Sequence, residues 1–126
     1  MAMTLRLDAE HETALRALAA DLGVGPVRDV GLIASAAARP RTSPFGEDAY
    51  ADLPLKAAAL LESLVRHHPL VDGNQHLGWL ACVVFCDLNG RPIEASDDDA
   101  YNAVIAVAEG RHDIAASAAL LRDWMS

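Results

Sequence analysis

A chain of 126 residues fits one domain, and 52% hydrophobic residues can fill a core without metal or disulfide staples. A formal charge of 10 − 18 = −8 argues against wrapping a nucleic-acid backbone, which needs clustered Lys and Arg. Ala and Leu dominate and β-branched residues are scattered, which favours helices; Lys56 is the sole lysine, so lysine binding of phosphate has almost no candidates.

Met3-Thr4-Leu5-Arg6-Leu7 alternates like a short strand, and Asp8 is a candidate N-cap. Leu15, Leu18, Ala19 and Leu22 then recur at helical spacing before Gly23 and Gly25. Strand followed by helix resembles the start of a ribbon-helix-helix antitoxin, in which such a strand pairs with its copy. On that reading Met3 to Leu7 makes a homodimer. Gly23, Gly25 and Pro26 interrupt the place of the second helix, so the preferred alternative is an N-terminus leading into the main domain. Residues 1–23 are expected as an arm packed on or leading into the core, and 24–126 as the main domain.

Val27 to Ala38 predicts a second helix with Val30, Ile33 and Ala37 inward, and Pro40 to Gly46 a loop. Leu55 to His67 predicts a third, with Ala58, Leu61, Leu64 and Val65 in a stripe. After a short connection, Asn74 starts a long helix. Leu77, Leu80, Ala81, Val84, Phe85 and Leu88 form one face, and Trp79, Cys82, Val83 and Cys86 cover much of the rest, which predicts a central, buried helix ending at Asn89-Gly90. Ser96 caps the next helix, with Asp97, Asp98 and Asp99 suiting its dipole rather than a metal. Gly110 ends it, and Asp113 begins the last, with Ile114, Leu121 and Trp124 inward. The expected fold is all-α, a compact bundle of about six helices around Asn74 to Leu88.

Cys82 and Cys86 lie four apart in an apolar segment, too far for an unstrained disulfide on one helix, and are expected to pack in the core of a protein from a reducing compartment. Met1 to Leu7 lacks the apolar core of a signal peptide, and Leu77 to Leu88 is too short to span a bilayer. The expected location is the cytoplasm, away from membranes.

His68, Asp72 and Asn74 lie in a loop feeding a helix N-terminus, where unpaired N–H groups and the dipole favour an anion. His68 has the chemistry of a general base, and Asp72 that of a Mg²⁺ ligand. The combination suits phosphoryl or nucleotidyl transfer. The competing reading is a structural His, a capping Asp and a turn Gly, and spacing alone favours it. A third reading gathers His67, His68, Asp72 and His76 around a transition metal, but Pro69 and Gly73 oppose the continuous helix this needs.

His68-Pro69-Leu70-Val71-Asp72-Gly73-Asn74-Gln75-His76 resembles the signature of the Fic/Doc family, His-Pro-Phe-x-(Asp/Glu)-Gly-Asn-(Lys/Gly)-Arg. Arg28-Asp29-Val30-Gly31-Leu32-Ile33, Ala38-Arg39-Pro40, the loop Phe45-Gly46-Glu47-Asp48, Asn89-Gly90 and Val107-Ala108-Glu109-Gly110 extend the likeness over roughly residues 24–125, closest to the Doc (death-on-curing) branch. The resemblance implies a toxin of a toxin–antitoxin module: an ATP- and Mg²⁺-dependent transferase, either a kinase acting on elongation factor Tu or an enzyme moving AMP onto a protein hydroxyl. It implies His68 as general base, Asp72 as metal ligand, and Gly73, Asn74, Gln75 and His76 as the nucleotide-binding turn. Arg41 to Glu47 corresponds to a flap that docks the target. An antitoxin is an implied partner.

The departures are Leu70 for Phe, and Gln75 and His76 where Doc proteins carry Lys-Arg; Leu77-Gly78-Trp79-Leu80 lacks the second Arg common in AMP-transferring relatives. A neutral pair cannot reproduce a bidentate Arg on phosphate, a loss on the order of a hundredfold in rate. The expectation is therefore a weakened transferase. The alternative is a catalytically impaired homologue that acts by binding an antitoxin, a nucleotide or itself.

Overall fold

The computed structural model describes residues 9–42 and 47–125, with the side chains of 9–12 excepted. The strand expected at residues 3–7 lies outside them, as does the tip of the expected flap at 43–46. Among the described residues six α-helices follow in order: α1 (Ala9–Leu22), α2 (Val30–Ala38), α3 (Leu53–Arg66), α4 (Asn74–Leu88), α5 (Asp97–Ala108) and α6 (Ile114–Trp124), with a 3₁₀ turn at Arg39–Arg41. Extended pairing among the described residues is limited to two isolated bridges, Val27 with Leu70 and Ile93 with Met125.

Side-chain caps set four helix starts. Asp29, Asp52, Ser96 and Asp113 each accept a hydrogen bond from the N–H three residues on. They explain two shifted boundaries. α2 begins at Val30 rather than Val27, because Asp29 is the cap and Val27 and Arg28 pair with the loop before α4. α3 begins at Leu53 rather than Leu55, because Pro54 fits the first turn, where no N–H is needed.

The bundle has a buried central helix, but α3 takes that place. It packs on α2, α4, α5 and α6, and Leu53, Leu60, Leu61, Leu64 and Val65 are all enclosed. α4 lies beside it, burying Leu77, Cys82, Phe85 and Cys86 while Val84 and Leu88 face solvent at 38% and 62% exposure. An apolar surround on α4 therefore did not mean enclosure on every side, and Val30 on α2 is likewise exposed. Leu15 and Ala19 seat α1 on the same core, against α2 and α4.

The two cysteines are free and buried. A hydrogen bond to Cys86, together with burial, pushes the Cys82 thiol well up, so it stays protonated as a packing group. Lys56 is also buried: its ammonium donates to the Pro40 carbonyl and to Asp48, both at 3.2 Å. Arg39 bonds the Tyr50 hydroxyl at 2.8 Å and Ser63 Oγ at 2.9 Å, and pairs with Glu62 at 3.0 Å. Ala49 N–H donates to the Thr42 carbonyl at 2.8 Å. These contacts tie both stems of the 42–49 loop to α3.

α3 and α4 cross closely at Gly78, where an added Cβ would lie 2.7 Å from Val65 Cγ2. In an open helix Gly→Ala stabilises by about 1 kcal/mol. Gly78→Ala should instead destabilise by about 1–2 kcal/mol, because stiff Val65 has to move. Urea denaturation decides the sign, and a stabilised variant would show that the crossing is loose.

Candidate active site

The loop from His67 to Gly73 carries the expected site. His67 is the C-cap of α3, and His68 follows at φ 52, in the left-handed region where a helix stop usually places Gly. A side chain there costs about 1–2 kcal/mol, and the following Pro69 narrows the options further.

The segment before α2 holds this loop in place. Arg28 N–H and Asp29 N–H donate to the Pro69 carbonyl at 2.7 and 3.1 Å, Val71 N–H to Pro26 at 2.9 Å, and Gly25 N–H to Asp72 at 3.0 Å. The Arg28 side chain adds Nε to the His68 carbonyl at 2.9 Å and a terminal nitrogen to the His67 carbonyl at 3.2 Å. Gly73 turns the chain into α4 at φ 85, and any Cβ there would lie 2.4 Å from Val24 Cβ. Only glycine meets both conditions.

Asn74 is buried, and its carboxamide accepts from Leu70 N–H at 2.8 Å and donates to Leu70 C=O at 3.0 Å. These bonds fix its amide orientation and leave Nδ2 3.5 Å from His68 Nδ1. If the amide donates to Nδ1, the ring proton of a neutral imidazole sits on Nε2, so a base role for Nε2 requires that long contact to be given up. Asp72 is exposed; Oδ1 accepts from Gly73 N–H at 2.9 Å, and Oδ2 has no partner among the described residues. An exposed carboxylate oxygen without a partner among the described residues fits Mg²⁺, a hard cation that takes oxygen ligands.

No side chain caps α4, unlike the four helices above. His68, Val71, Asp72, Gly73, Asn74 and Gln75 line a hollow of about 280 Å³ at its start. Five of the six expected site residues thus meet in one place. His76 does not; it lies with Gln75 on a neighbouring hollow of about 290 Å³, walled by Trp79, Asp97, Ala100, Tyr101 and Val104. Neither hollow has Lys or Arg among its described lining residues. Trp79 is braced edge-on by Trp124, with ring centroids 6.3 Å apart. Among the described residues no three His, Cys, Asp or Glu side chains group as a metal set.

Sequence reasoning missed the second hollow and the Arg28 clamp. Tyr101 and Trp79 sit on different helices with no shared spacing, and Arg28 lies forty positions from its partner carbonyl.

Residues 6–86 match the model of the Fic/Doc family, and the chain belongs to that family. Its likeness there is to the Doc branch: 72 residues are 50% identical to Toxin Doc of Mycolicibacterium smegmatis, covering 57% of this chain and 55% of that protein. The chain thus matches little more than half the length of that relative. The family match takes in α1 and stops within α4.

Two substitutions should act in opposite directions on stability. Asn74→Ala strands both polar groups of Leu70 and should cost on the order of 3 kcal/mol. His68→Gly relieves the left-handed backbone and should be neutral or stabilise by about 1 kcal/mol. Chemical denaturation of both variants checks this, and a clearly destabilised His68→Gly protein would rule out strain at that residue.

Proposed function

We propose that the chain is a Doc-type transferase using ATP and Mg²⁺ to modify a hydroxyl on a protein target. The observation that carries this reading is the hollow at the uncapped start of α4, which His68, Asp72, Gly73 and Asn74 line together. Helix N–H groups and the dipole favour a phosphate there. Asp72 would hold the magnesium through its free oxygen, and the ion would supply charge neutralisation on the phosphates. His68 takes the proton from the target hydroxyl as its oxygen attacks phosphorus. Attack at the γ-phosphorus breaks the bond to ADP, and attack at the α-phosphorus releases pyrophosphate. The adjoining aromatic hollow, with Trp79 and Tyr101, suits the purine base by stacking, and Gln75 borders both hollows.

The proposed setting is a toxin–antitoxin module in the cytoplasm, with an antitoxin partner and elongation factor Tu as the protein target. The loop from Arg41 to Glu47 is the proposed docking flap. Dimerisation through residues 3–7 belongs to the alternative reading of the N-terminus as an antitoxin-like strand.

A second reading, a homologue that binds nucleotide but transfers poorly, is favoured by the missing cations. Gln75 is neutral, Lys56 is buried beside Asp48, and Arg28 is engaged on backbone carbonyls. Radiolabelled ATP added with the protein to a bacterial lysate separates the readings. The leading one expects label on one protein band, reduced on the order of a hundredfold in His68→Ala. Absence of native transfer, with ATP still binding, gives the second. Removing Trp124 by Trp124→Phe leaves Trp79 as the sole tryptophan, and ATP should quench its emission; unchanged emission at saturating ATP would remove the base from that hollow.

A further inference from the structure

We propose that Arg28 is a positioning residue that sets the backbone angles of His68 and so aims its ring; the role rests on the transferase reading only for its effect on turnover. Two peptide planes flank the His68 Cα. The carbonyl of one belongs to His67, and that of the other to His68. A single guanidinium holds both: Nη2 reaches the His67 carbonyl at 3.2 Å, while Nε, at 2.9 Å, and Nη2 both bond the His68 carbonyl. Peptide groups are rigid planes, so fixing both constrains the two soft torsions between them. His68 needs that constraint because its φ of 52 is disfavoured for any side chain.

The planar fork matters as much as the charge. Arginine presents parallel donors in one plane, whereas an ammonium is a point donor that can satisfy one carbonyl without fixing the other. Those carbonyls also end α3, where the helix dipole is negative and a cation is favoured. Main-chain bonds from Arg28 and Asp29 to Pro69 place the fork at the correct height, independently of the side chain. Removing the guanidinium therefore leaves the loop attached but frees the turn at His68.

The test compares Arg28→Ala and Arg28→Lys with Arg111→Ala, which removes an exposed arginine paired with Glu109. Amide exchange at Leu70, Val71 and Gly73 in the Arg28→Ala protein should quicken about tenfold while exchange in α5 and α6 is unchanged. NMR signals of the His68 ring should shift or broaden, and its proximity to Asn74 should be lost. In the transfer assay kcat should fall on the order of tenfold with the nucleotide KM within about twofold. Millimolar guanidinium should restore part of the Arg28→Ala loss, and Arg28→Lys should remain impaired. Arg111→Ala should match the native protein throughout. Native exchange rates and native His68 ring signals in Arg28→Ala would overturn the proposal. So would a loss confined to KM, or full function in Arg28→Lys. If the native protein transfers nothing, the transferase reading fails, but the exchange and ring measurements still decide the role of Arg28.

Discussion

Both polar groups of the Leu70 peptide end on one side chain, the carboxamide of Asn74, and the local architecture depends on that closure. It folds the loop back over the first turn of α4. Gly73 can then take its left-handed turn against Val24, Val27 can bridge Leu70, and Asp72 is left at the rim with a free oxygen. A buried peptide without such partners would cost a few kcal/mol, so the loop has little freedom to open. The site is built as a continuation of the core: Leu70 and Leu77 are enclosed, while His68 and Asp72, near them in sequence, are exposed.

Charge is the scarce quantity around this scaffold. Three of the chain's cations carry structural tasks. Lys56 and Arg39 fasten the 42–49 loop to α3, and Arg28 holds the turn at His68. The uncapped end of α4 supplies roughly half a positive charge, well short of a triphosphate. On the proposed reading, a loop suited to phosphoryl chemistry lacks the cations that usually accompany it. The aromatic hollow beside the loop can supply affinity by stacking rather than by charge.

Much of the fold was legible because it rests on local chemistry. Ser96 and Asp113 announced their helices, Asn74 and Gly110 lay at real boundaries, and the Leu15, Ala19, Ile33 and Leu64 positions are all buried as their spacing predicts. The errors arose where a long-range partner overrode a local pattern. Val27 reads as helix but pairs with Leu70, and α4 reads as enclosed though Val84 and Leu88 face solvent. At the site, the loop residues sit together because they are neighbours in sequence. His76 departs because one helical position beyond Gln75 turns it toward α5. The Arg28 fork and the Trp79–Tyr101 hollow join distant segments, and no spacing rule marks such pairs.

The proposed phosphate site before α4 would be short of positive charge. Calorimetric titration of Mg²⁺·ATP into the native protein and into Gln75→Lys/His76→Arg tests it most directly. The account predicts weak native binding and an affinity higher by about tenfold to a hundredfold in the double variant, with unchanged thermal stability. Equal affinity in the two proteins would contradict it, since the native residues would then hold the phosphates as well as the restored cations do.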